Sequence, residues 1–172
     1  MSDLSVKLAT IVGLTMTSKH IGLTSWDESN PKMLADEWRI TLSYIRVGED
    51  EKTRKEYSTT YRTGIGHRKM ASGVRKERGG YTRNDGVPLV MEEACHHGFL
   101  IPVKPNIADV VSCLMCDASS GMETFQDWCY NMSANIDSRS DLDTYLRCQD
   151  ILVNLRKMFG YSMLDELMKL DH

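Results

Sequence analysis

Apolar and polar residues alternate over two stretches in the N-terminal part of the chain, which is the pattern of half-buried β-strands. In the first stretch the apolar positions are Trp38, Ile40, Leu42 and Tyr44. The polar sequence Gly48-Glu49-Asp50 is typical of a turn, and a second alternation follows at Tyr57, Thr59 and Tyr61. Residues 37–63 are therefore predicted to form a β-hairpin, with an earlier strand near residues 4–9.

The last third of the chain has apolar residues at helical spacing. Asn106, Ser120 and Ser138 are each followed three positions later by an acidic residue, which indicates three helix N-caps. Gly160 is expected to end the third helix, and Ser162 to begin a short fourth one. The apolar faces of the first three helices are predicted to be Ile107, Val110, Val111, Leu114 and Ala118; Phe125, Trp128, Cys129 and Met132; and Leu142, Tyr145, Leu146, Leu152, Leu155 and Phe159.

These patterns together predict an α+β fold, with a small N-terminal antiparallel β-sheet packed against three to four C-terminal α-helices. Between them, residues 68–86 are rich in Gly, Lys and Arg and have little apolar periodicity, so they are predicted to form a mobile basic loop. Pro88 favours the start of a short helix over residues 88–98. We expect a single domain over residues 1–172, strand-rich in 1–67 and helical in 88–172.

The charge of the chain is unevenly distributed. The net charge of the 172 residues is -3, yet residues 52–83 hold ten basic and two acidic side chains, for a charge of +8. Two interpretations stay open: a solvated polar surface, or a binding surface for an anionic partner. The candidate partner-binding residues are Arg62, His67, Arg68, Lys69, Arg75, Lys76, Arg78 and Arg83.

The five cysteines are irregularly spaced, which argues against a disulfide framework and favours a reducing compartment. Cys113 and Cys116 form a C-x-x-C pair downstream of Cys95, His96 and His97. Cysteine and histidine in this combination are candidate ligands of a structural zinc site. The pair lies inside a predicted helix among apolar residues, so we expect core cysteines, with no metal and no cofactor.

The sequence contains no established catalytic motif, and an enzyme is not expected. A nucleophilic Cys95 with a neighbouring histidine lacks the usual geometry, and no G-x-S-x-G sequence is present. Asp117, Asp137 and Arg139 are either helix caps or members of a polar network. There is no run of about 18 apolar residues that would span a membrane, and the N-terminus does not resemble a signal peptide.

Several short motifs occur in a fixed order over about residues 29–160. Asn30-Pro31 precedes Asp36-Glu37-Trp38-Arg39-Ile40-Thr41-Leu42, and Thr63-Gly64-Ile65-Gly66-His67 follows the predicted hairpin. Lys104-Pro105 is followed by Asp109-Val110-Val111 and Asp117-Ala118, and then by Phe125-Gln126-Asp127-Trp128-Cys129, Asp137-Ser138-Arg139 and Thr144-Tyr145. This series resembles the signature of a family of small uncharacterised tailed-phage proteins. The chain departs from that signature at Ala134-Asn135-Ile136, where the family commonly has a Gly-Tyr pair, and in residues 68–100, which have no clear counterpart.

The resemblance implies a phage or prophage origin and the cytoplasm of a bacterial host, but no activity. Our first hypothesis is a non-enzymatic phage accessory protein that binds and inhibits a host defence complex, in the manner of anti-CRISPR proteins. The second is a nucleic-acid-binding accessory of phage replication or recombination, which contacts nucleic acid through residues 62–83. A small, metal-dependent enzyme is the third. The sequence does not indicate an oligomeric state.

Overall fold

The computed structural model describes residues 13–27, 30–46, 48–64, 69–90 and 100–169. The strand predicted near residues 4–9 lies outside these ranges. The β-strands in the described ranges are β1 (Thr15–Asp27), β2 (Asn30–Tyr44), β3 (Lys55–Gly64), β4 (Lys69–Met70), β5 (Val74–Glu77), β6 (Gly80–Arg83), β7 (Pro88–Leu89) and β8 (Leu100–Ile101). The helices are α1 (Ile107–Ser120), α2 (Phe125–Met132), α3 (Arg139–Phe159) and α4 (Tyr161–Lys169), and a 3₁₀ turn covers Glu51–Thr53.

The strands form three sheets, ordered β1-β2-β3, β4-β8 and β5-β6-β7. The first is an N-terminal three-stranded antiparallel sheet, and four C-terminal helices follow it, so the predicted α+β fold class is confirmed. The alternation predicted in β2 is also confirmed, because Trp38, Ile40, Leu42 and Tyr44 are all buried. None of the described helices is long and apolar enough to cross a bilayer.

The described residues fall into two compact units. The first contains the described residues of 1–17, 41–58 and 106–172, and therefore all four helices. The second contains those of 18–40 and 59–105. The long strands β1, β2 and β3 contribute residues to both units.

In the first unit, α3 is the central helix, since it packs against α1, α2 and α4. The ring of Tyr44, at the end of β2, lies 5.0 Å from the ring of Phe159, and its hydroxyl donates to Met163 Sδ at 3.4 Å. The buried apolar residues of the four helices are Ala108, Val110, Val111, Leu114, Met115 and Ala118; Trp128 and Cys129; Tyr145, Cys148, Ile151, Leu152, Leu155, Met158 and Phe159; and Leu164, Leu167 and Met168.

The N-cap predictions are confirmed for α1 and α3. Asn106 accepts hydrogen bonds from Ala108 N and Asp109 N, and Ser138 accepts one from Asp141 N. The prediction for the middle helix was wrong, because Thr124 caps α2 by accepting from Asp127 N. Ser120 instead ends α1, where its hydroxyl donates back to the carbonyl of Cys116.

Two residues assigned to buried helix faces are exposed. Leu146 is 43% exposed and Met132 is 53% exposed. In α3 the buried stripe passes through Tyr145, Cys148 and Leu152. Consecutive residues of an α-helix are rotated by about 100° around its axis. Leu146 therefore points away from the stripe. Met132 is the last residue of α2, at the end of the helix.

In the second unit, the prediction of a basic loop was wrong for most of its length. Residues 74–77, 80–83 and 88–89 form the sheet β5-β6-β7, and a small apolar cluster supports it. Val74, Tyr81 and Leu100 are the buried members, and Met70 and Leu89 pack against them. The short helix predicted over residues 88–98 is a strand at Pro88–Leu89, and residues 91–99 lie outside the described ranges.

We expect Gly121→Ala to destabilise the first unit by about 2–3 kcal/mol, the upper part of the range for overpacked cores. A Cβ at this position would lie 2.6 Å from the carbonyl oxygen of Cys148 and 2.9 Å from Gln149 N, both backbone atoms of α3. Urea denaturation gives the free energy of unfolding. Gly64→Ala is the control, because a Cβ there meets nothing within 4 Å, and equal losses for the two variants would contradict the close approach.

We expect Trp128→Ala to lower the free energy of unfolding by about 3–5 kcal/mol, the usual cost of truncating a buried aromatic side chain. Trp128 is 5% exposed and packs in a cluster with Phe125 and Tyr145. Tyr130→Ala in the same helix is the matched control, because Tyr130 is 86% exposed. A loss below about 1 kcal/mol for Trp128→Ala would show that the aromatic cluster contributes little to stability.

Candidate functional site

The predicted basic segment contains a β-hairpin built from β5 and β6. The strands pair antiparallel in the register Val74↔Arg83, Arg75↔Thr82, Lys76↔Tyr81 and Glu77↔Gly80. Arg78 and Gly79 form the turn, and Gly79 adopts φ +97°, a conformation that glycine takes without steric cost. We call residues 74–83 the cationic hairpin.

Two of the arginines in this region are paired with nearby carboxylates. Arg75 Nε lies 2.6 Å from Glu77 Oε1, and Thr82 Oγ1 also donates to Glu77. Arg83 forms an ion pair with Asp85, and the hydrogen bond from Arg83 holds the pKa of Asp85 below its ordinary value. These contacts neutralise part of the positive charge that the sequence places here.

Lys76 and Arg78 therefore carry the exposed positive charge of the cationic hairpin. Among the described residues, no carboxylate lies within ion-pair distance of either side chain. Arg78 lies in the two-residue turn and Lys76 in the strand before it, an arrangement that suits a surface that binds an anionic partner.

The other candidate partner-binding residues lie elsewhere in the chain. Arg62 is exposed on β3. His67 and Arg68 lie outside the described residues, and only the backbone of Lys69 is described, in β4. The structure therefore brings Arg75, Lys76, Arg78 and Arg83 together on one small sheet.

The three residues of the possible polar network occupy separate positions in the first unit. Asp117 lies in α1, where burial raises the pKa of its carboxyl and the nearby Arg147 opposes that rise. Asp137 is exposed and precedes the cap of α3. Arg139 pairs with Asp143 one helical turn later, at 3.2 Å.

The expectation that Cys113 and Cys116 belong to the core was wrong, since both residues are exposed on α1. Their neighbours Val111, Leu114 and Met115 are buried, so the cysteines lie at the border of the apolar stripe. Within the described ranges, no group of three or more His, Cys, Asp or Glu side chains is arranged to hold a metal ion. Cys95, His96 and His97 lie outside those ranges.

The third thiol of this region, Cys148, is buried on α3. Burial raises its pKa to about 11, and the carboxylate of Asp117 contributes to the rise. Partial burial and Asp117 also raise the pKa of Cys113. Raised pKa values lower the thiolate fraction of Cys113 and Cys148 at neutral pH.

A buried polar cluster in the second unit was missed by the sequence analysis. Asp36 is 2% exposed, and its Oδ1 lies 2.9 Å from Nε2 of His20, on β1. The ring of Trp38 packs edge-on against the His20 ring at 5.0 Å, and Trp38 Nε1 donates to Thr63 Oγ1. The alternation of β2 contained a signal for this cluster. Asp36 is two residues before the buried Trp38, so the two side chains lie on the same face of the strand.

This cluster connects the three strands of the first sheet by side-chain contacts. The carboxylate of Asp36 accepts a hydrogen bond when the imidazole carries a proton on Nε2, and a buried carboxylate requires such a partner. We interpret the His20–Asp36 pair as a structural contact that orders β1 against β2.

We expect Cys148 to react with iodoacetamide at pH 8 roughly 100-fold more slowly in the native protein than in urea. A pKa near 11 leaves about a thousandth of the thiol ionised at that pH, and burial slows the reaction further. Mass spectrometry of quenched time points gives the rate for each cysteine. Similar rates in native and unfolded protein would contradict the raised pKa.

Comparison of the chain with protein-family models, with curated proteins and with solved structures finds no match.

Proposed function

We propose that this chain is a non-enzymatic binding protein whose cationic hairpin docks onto an acidic surface of a partner protein. The single observation that carries the proposal is the placement of Lys76 and Arg78, both exposed, at the turn end of a paired hairpin. The resemblance to tailed-phage proteins supports a more specific version, in which the partner is a host defence complex and binding inhibits it. Such an inhibitor would act in the cytoplasm of the bacterial host.

The internal ion pairs favour a protein partner over nucleic acid. Residues 74–89 hold four basic and two acidic side chains, for a net charge of +2. Both acidic side chains are engaged with Arg75 and Arg83, so few cations remain for phosphates. Nucleic-acid affinity depends on the number of phosphates neutralised, whereas a protein interface gains specificity and association rate from a few well-placed charges.

The second candidate function is nucleic-acid binding, which the charge of +8 in residues 52–83 favours. Most of that charge lies outside the cationic hairpin, on residues such as Arg62, Arg68 and Lys69. If these side chains join the hairpin in one strip, they could follow a phosphate backbone.

A double variant, Lys76→Ser with Arg78→Ser, tests the proposed function. We expect it to reduce the protection of phage in a defence-positive host by about tenfold or more, because loss of a charged contact costs on the order of 1.4 kcal/mol. The readout is the efficiency of plating with the protein supplied in the host. The matched control is Lys55→Ser with Lys157→Ser, which removes the same charge from two other exposed positions and should leave protection unchanged.

Binding to duplex and single-stranded nucleic acid, measured from about 50 to about 200 mM salt, separates the two candidate functions. We expect weak binding and little difference between the parent and the double variant. Tight parent binding, with a log–log slope that falls by about two in the double variant, would establish the nucleic-acid function instead. Unchanged protection in the double variant would overturn the proposed function.

A further inference from the structure

Within the described ranges, β5 is an edge strand of its sheet. In the sheet order β5-β6-β7 it lies at one end, and among the described residues no strand pairs with its other side. An edge strand of this kind is a template for the addition of another strand.

The register of the cationic hairpin determines which groups point outward. Residues in an antiparallel pair alternate between hydrogen-bonded and non-hydrogen-bonded positions. The N–H of Arg83 donates to Val87 O, and that of Val74 to Ala71 O, so the pair Val74↔Arg83 is a non-hydrogen-bonded one. Lys76 is two residues further along, and its N–H and C=O therefore also point away from β6.

We propose that β5 binds an acidic, extended segment of the partner as an added β-strand, an inference that rests on the proposed function. The residue of the partner opposite Lys76 would exchange two backbone hydrogen bonds with it. The carbonyl of Val74 would accept a third hydrogen bond from the residue two positions along the added strand.

Charge complementarity identifies the occupant. Residues 75–78 carry three cations and one carboxylate, and that carboxylate, Glu77, is engaged by Arg75 and by Thr82. Opposite charges on directly opposed residues stabilise a strand pair, whereas like charges destabilise it. A second copy of this edge would place Lys76 and Arg78 against like charges, so an acidic segment fits and self-pairing does not.

Two variants at the same position separate backbone pairing from charge. Lys76→Pro removes the outward N–H, and proline is tolerated in an edge strand where that N–H faces solvent. Lys76→Thr removes the same charge but keeps the N–H. The probe is an acetylated and amidated peptide of alternating Glu and Thr, about eight residues long, and NMR titration measures its dissociation constant.

We expect the parent protein to bind the peptide, Lys76→Thr to weaken binding about threefold and Lys76→Pro to weaken it at least about tenfold. The amide signals of Val74 and Tyr81 report whether each variant keeps the hairpin. Equal losses in the two variants would overturn strand addition but leave the proposed function standing, since charge alone would then explain binding. Tighter binding to a duplex oligonucleotide than to the peptide would overturn the inference in favour of a nucleic-acid partner.

A second measurement uses only the parent protein, so it does not depend on the folding of a variant. One peptide is N-methylated at every Glu, and a matched one at every Thr. If Glu residues lie opposite Lys76, methylation at Glu blocks the hydrogen bonds to β5 and should weaken binding at least about tenfold, while methylation at Thr should have little effect. Equal effects of the two peptides, or no binding of the unmethylated peptide, would overturn strand addition.

Discussion

The first unit, which contains the four helices, depends on the close approach between the end of α1 and the middle of α3. At Gly121, the backbone of α3 is so near that no side chain fits between the two helices. The contact is reinforced nearby, where the hydroxyl of Tyr145 donates to the carbonyl of Glu123 at 2.6 Å and accepts from Gln149 Nε2 at 2.8 Å. These bonds hold the connection between α1 and α2 against α3, and so place the aromatic cluster of Phe125, Trp128 and Tyr145.

The same packing explains the chemistry of the thiols. Cys148 supplies the carbonyl that approaches Gly121, and its own side chain is buried in the stripe of α3. Burial disfavours the thiolate and raises the pKa of this cysteine. The close packing of α1 against α3 is therefore also what raises the pKa of this thiol.

The sheet β5-β6-β7 of the second unit packs on a small apolar cluster. Val74, Tyr81 and Leu100 support the sheet β5-β6-β7, and polar contacts at the turns supply the rest. Asp85 accepts hydrogen bonds from Val87 N and from Arg83, which ties the turn between β6 and β7 to the strand before it. A hairpin ordered in this way presents Lys76 and Arg78 in a defined geometry, so less conformational entropy is lost on binding than with a flexible loop.

The sequence by itself determined the fold class, the alternation of β2 and the caps at Asn106 and Ser138, because these features depend on local periodicity and on backbone groups within a few residues. It did not determine the cationic hairpin, because Val74 and Tyr81 are isolated apolar residues in a polar segment. They form an apolar cluster only together with Met70, Leu89 and Leu100. The turn at Arg78-Gly79, with Tyr81 and Thr82 after it, was the one local signal for this hairpin. Only the tertiary structure decided which charges are paired, which cysteines are buried and which side of β5 pairs with a described strand. Each of these depends on residues distant in sequence, or on which face of an element meets a neighbour, and local patterns do not contain that information.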